Sequence, residues 1–151
     1  MADMLARNVL IFILFKKIIM KTIFIYDNKI LATELLVLVG IKLKDLEKWA
    51  KKYSSKLEKI LKDVPDNIEY MLSQQGSFYR FNNGKHTVDI LYLDKWEKGD
   101  NYSSLLLHEL VHYKQSIFRE RKIKDEEEFE SYFIQNTWRE LKIILDKKIK
   151  K

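Results

Sequence analysis

Apolar and polar positions along this chain fall into strand-like and helix-like patterns, and the patterns predict its elements. Ile23 to Tyr26 is β-branched and aromatic and stops at Asp27-Asn28, the signature of a short strand and turn. From Leu43 the apolar residues fall at Leu46, Trp49, Ala50, Tyr53, Leu57, Ile60, Leu61 and Val64. That three-and-four spacing predicts one long amphipathic helix closed by Pro65. Between Phe78 and Leu93 two strand-like runs flank Asn82-Asn83-Gly84, which predicts a β-hairpin. Lys95 to Tyr102 is polar and loop-like. Ser103 and Ser104 then open a run of strong helix formers, Leu105-Leu106-Leu107-His108-Glu109-Leu110-Val111-His112. A last helix begins near Asp125, with Phe133, Ile134, Thr137, Leu141 and Ile144 on its inner face. Strands and helices mixed in this order predict an α+β fold.

The N-terminal run Val9-Leu10-Ile11-Phe12-Ile13-Leu14-Phe15 is ended by Lys16-Lys17. Seven apolar residues are too few to cross a bilayer, and no small-residue cleavage site follows, so a buried strand or helix is expected and a cytoplasmic location with it. Met20 offers a second start, which leaves residues 1 to 19 as a peripheral extension of a single domain spanning 1 to 151.

Composition narrows the chemistry. The 151 residues, 46% of them hydrophobic, suffice for one core, and the single proline and four glycines mark no linker. Absence of cysteine removes disulfides, thiolate metal sites and cysteine nucleophiles together, so any metal must be held by His, Asp or Glu. The net charge of +6 comes from lysines spread along amphipathic helices and gathered at Lys147, Lys148, Lys150 and Lys151, the pattern of a solvated face rather than of a nucleic-acid footprint.

His108-Glu109-Leu110-Val111-His112 is an H-E-x-x-H motif on a helix. Residues four apart lie one above the other, so both imidazoles can reach one zinc ion. Glu109 is rotated about 100° from His108 and is suited to act as general base on the water. The flanking leucines and Val111 predict that this helix is buried.

A catalytic zinc takes three protein ligands. His86, beside the hairpin turn, is a poor candidate. The run Asp125-Glu126-Glu127-Glu128-Phe129-Glu130 offers better ones, although Asp125 also serves as an N-cap and acids in a first turn suit the helix dipole. Glu130 lies beyond that turn, near the middle of the inner face, where a carboxylate needs a compensating charge. It ranks first, Glu126 second and Glu127 third. Gln115 falls on the ligand face, where it meets substrate or makes a buried hydrogen bond, and Thr137 stands two turns from Glu130 as a supporting group.

His108-Glu109-Leu110-Val111-His112-Tyr113-Lys114-Gln115, followed by Glu128-Phe129-Glu130-Ser131-Tyr132, resembles small zincin-like metallopeptidases of the gluzincin type. The resemblance covers about residues 88 to 140. It implies zinc, a glutamate base, hydrolysis of a peptide or protein substrate, and a small mixed sheet whose edge strand, Val88 to Leu93, precedes the active helix and takes an extended peptide. Ser131 stands where that family often has alanine. No G-x-x-H follows the motif, which excludes the metzincin branch. The alternative is a catalytically silent zincin-fold module used for binding or assembly, in which Glu109 has no task.

Overall fold

A computed structural model describes residues 21–124 and 126–149. The expectations for Val9 to Phe15 and for Asp125 as an N-cap lie outside the described residues. The elements run β1 (Thr22–Asn28), β2 (Thr33–Val39), α1 (Leu43–Tyr53), α2 (Ser55–Asp63), α3 (Pro65–Leu72), β3 (Gly76–Asn82), β4 (Thr87–Leu93), α4 (Asp100–Arg121) and α5 (Glu127–Ile149). The four strands form one mixed sheet in the order β1-β2-β4-β3, so the fold is α+β.

The inner pair, β2 and β4, is parallel and joined from Leu36↔Ile90 to Val39↔Leu93; both outer pairs are antiparallel. Strands covered on both faces need apolar residues at every position, which is why Leu35 to Val39 and Ile90 to Leu93 read as unbroken apolar runs. On one face Leu35, Val37, Val39, Leu91 and Leu93 pack against α4 and α5 through Leu106, Leu110, Tyr113, Ile117, Phe133, Leu141 and Leu145. On the other, Leu36, Leu38, Ile90 and Tyr92 meet Leu46, Ala50, Leu57, Ile60, Leu61, Ile68 and Met71 of α1 to α3.

Two sequence expectations are corrected. The single helix expected from Leu43 to Val64 is two, because Ser54 is extended and its hydroxyl accepts a hydrogen bond from Leu57 N (3.2 Å), capping α2 instead of continuing α1. Pro65 both ends α2 and opens α3 at its first turn. The strand from Val88 to Leu93 is interior: β4 lies between β2 and β3, and the edge beside α4 is β3. The expected hairpin is β3–β4, closed by Gly84 at φ +89°.

None of the described helices is long and apolar enough to cross a membrane.

The edge strand sits very close to α4. A Cβ built on Gly76 would lie 2.8 to 3.0 Å from the Leu105 side chain, so only hydrogen fits there. Gly76→Val is expected to cost about 1–3 kcal/mol by overpacking, read from urea unfolding midpoints, with part of the loss recovered when Leu105→Ala is added.

Candidate metal centre

The helix α4 turns two different faces outward and inward. Leu106, Leu110, Tyr113 and Ile117 are buried in the core, with Tyr113 packed edge-on to Phe78 (5.6 Å between centroids) and tilted against Phe133. His108 and His112 lie on the opposite side and are exposed. Glu109, one step round from His108, is buried at the boundary. The expectation of a buried helix therefore holds for Leu106 and Leu110 and fails at Leu107 and the imidazoles, which are exposed; the motif straddles the line between core and solvent.

The two imidazoles converge. His108 Nε2 and His112 Nε2 are 3.2 Å apart, with the rings at 82° to each other. Two nitrogens each 2.0–2.1 Å from one tetrahedral ion would be about 3.3 Å apart. The spacing also suits an N–H···N hydrogen bond between one protonated and one bare ring nitrogen, so a proton would compete with any metal ion for the same pair.

Burial pushes the Glu109 carboxyl above the usual carboxylate range, against the opposing pull of His108, His112 and a backbone hydrogen bond from Phe78 of β3. A cleft of about 440 Å³ opens beside it between β3 and α4, lined by Tyr79, Glu109, His112, Gln115 and Arg119 among others. Gln115 thus faces the cleft rather than a buried partner.

The proposed third donors are elsewhere. Among the described residues no third His, Asp or Glu joins the imidazoles in a group fit to hold a metal. Glu130 forms an ion pair with the buried ammonium of Lys114, which also lies over the Phe118 ring. Lys114 is about 140° round the helix from the mean direction of the two histidines, which explains why α5 docked on that flank delivers its carboxylate to the lysine. The charge that compensates Glu130 is Lys114, two residues after the motif, to which the spacing of acids along α5 gives no pointer. Glu126 and Glu127 are exposed at the start of α5. Thr137 supports β1 instead of Glu130, accepting from Asn28 Nδ2 (3.0 Å) and donating to Phe133 O (2.7 Å). His86 stays at the hairpin turn, its backbone N–H donating to Asn83 Oδ1.

No family model, curated protein or solved structure matches this chain.

Two outcomes follow from these charges. Glu130→Gln leaves a buried ammonium without its partner and is expected to cost about 3 kcal/mol, whereas adding Lys114→Met should restore most of it; chemical denaturation of the three proteins measures both. For Glu109 the folded-state pKa is raised, so the fold binds its proton more tightly than the unfolded chain does and stability is lost as pH rises through the folded value. In a chelating buffer, Glu109→Gln should therefore raise the thermal midpoint at pH 7. The gain should vanish below about pH 4, where both states of the wild type are protonated.

Proposed function

We propose that this chain is a zinc-dependent metallopeptidase of zincin-like fold. The observation that carries the reading is the 3.2 Å convergence of the His108 and His112 Nε2 atoms beside a buried carboxylate with a raised pKa. His108 and His112 would hold the ion. Glu130 is the proposed third ligand; it is paired with Lys114 on another flank of α4, so it would have to leave the lysine to reach an ion between the imidazoles. Bound zinc would supply Lewis acidity and lower the pKa of water to about 7.

The work of the protein's own groups follows from their surroundings. Glu109, poorly solvated and with a raised proton affinity, is suited to take a proton from the attacking water and to pass it to the leaving amine. The neighbouring edge of β3 offers main-chain groups with which an extended substrate can pair. Phe78 lines the cleft on the β3 side and packs against Tyr113 of the core.

The ion pair between Lys114 and Glu130 lends some weight to a second reading, a silent zincin-fold module, because it neutralises the proposed third donor. Glu109→Gln separates the two. The peptidase reading expects about one zinc per chain in both proteins, and a loss of hydrolysis of about 100-fold or more in the variant, followed by metal analysis and by cleavage of a quenched fluorescent peptide mixture. A wild type that holds zinc and cuts nothing would favour the silent module.

A further inference from the structure

The cleft beside the imidazoles does not end at the motif. It continues along α4 through Gln115 and Ser116 to Arg119, with Gln74, Gly76, Ser77, Phe78 and Tyr79 of the β3 side forming its opposite wall. Arg119 is the only cationic side chain among its lining residues. Among the described residues it forms none of the chain's salt bridges, whereas the neighbouring Glu120 and Arg121 are engaged by Arg80 and by the Leu31 carbonyl. His108, His112, Gln115 and Arg119 project within about 60° of one another around the helix, and the last three line the groove.

We infer that Arg119 selects substrates carrying an acidic side chain about three residues to the N-terminal side of the bond that is cut. The inference rests on the peptidase reading and adds to it a substrate class. Seven residues separate His112 from Arg119, about 10.5 Å along the helix axis. An extended peptide advances about 3.3 Å per residue, so the guanidinium lies some three residues from the imidazoles. β3 runs in the same direction as α4, from Gly76 beside Leu105 through Phe78 beside Glu109 to Arg80 beside Glu120. A peptide paired antiparallel to that strand, the more stable arrangement, therefore has its N-terminal side toward Arg119. The guanidinium offers a fork of donors that matches a carboxylate. Arg119 also lies in the last turn of α4, where a cation suits the helix dipole. That purely structural role would alter stability without altering which peptides are cut.

The test is digestion of an acetylated, amidated random octapeptide library by the full zinc-loaded chain, with cut sites read by mass spectrometry. Wild type should enrich Asp and Glu about two- to fivefold at the second to fourth positions N-terminal to the cut, the range an exposed ion pair supports. Arg119→Gln should abolish the enrichment, and Arg119→Glu should replace it with Lys and Arg. Cleavage whose profile is the same in wild type and Arg119→Glu overturns this inference and leaves the peptidase reading standing. A zinc-loaded wild type that cuts no peptide overturns both.

Discussion

The packing of α4 along the edge strand β3 is the constraint on which everything else depends. Gly76 admits Leu105, Phe78 meets Tyr113, and the core fixes the rotation of the helix about its own axis. With that rotation set, 3.6 residues per turn decide the rest: Leu106 and Leu110 enter the core, His108 and His112 face solvent together, and Glu109 is pressed against the strand. Turning the helix by one residue would bury an imidazole and expose the carboxylate. The burial that raises the proton affinity of Glu109 is thus a consequence of fold packing, and it is the property that the proposed peptidase reading asks of a general base.

The same packing creates a tension on the other flank. α5 is fastened to the sheet by Asn28 with Thr137 and by Tyr26 with Glu140, and to α4 by Trp138 Nε1 donating to Ser103 O (2.9 Å). So anchored, it presents Glu130 to Lys114. A buried ammonium requires a counter-charge, and Glu130 supplies it. The peptidase reading asks the same carboxylate to complete a zinc site on another side of α4, so it must give up the lysine to do so. In this chain the third ligand and the helix-to-helix ion pair are one question.

Much of this was legible in the residues, for physical reasons that differ by element. The hairpin declared itself through Asn-Gly turn chemistry, and the inner face of α5 through its period, with Phe133, Thr137 and Leu141 buried as projected. β2 did not declare itself, because Leu35–Val39 is covered on both faces and shows no alternation. Ser54 broke a helix that periodicity alone runs straight through. Whether a strand is at an edge or inside depends on pairing between distant segments, so the resemblance put the edge at β4 where the sheet has β3. At the site, the imidazole pair was fixed by local helix geometry and was readable. The partner of Glu130 depends on how two helices are rotated against each other, which no spacing within one helix reveals.

The most direct test of the central claim is zinc K-edge X-ray absorption of the full chain loaded with one equivalent of zinc. The account predicts two imidazole nitrogens at about 2.0 Å with their outer-ring scattering, together with carboxylate oxygen at about 2.0–2.2 Å that is lost in Glu130→Ala. A zinc ion without paired imidazole scattering, or a chain that retains no zinc after dialysis, would contradict it.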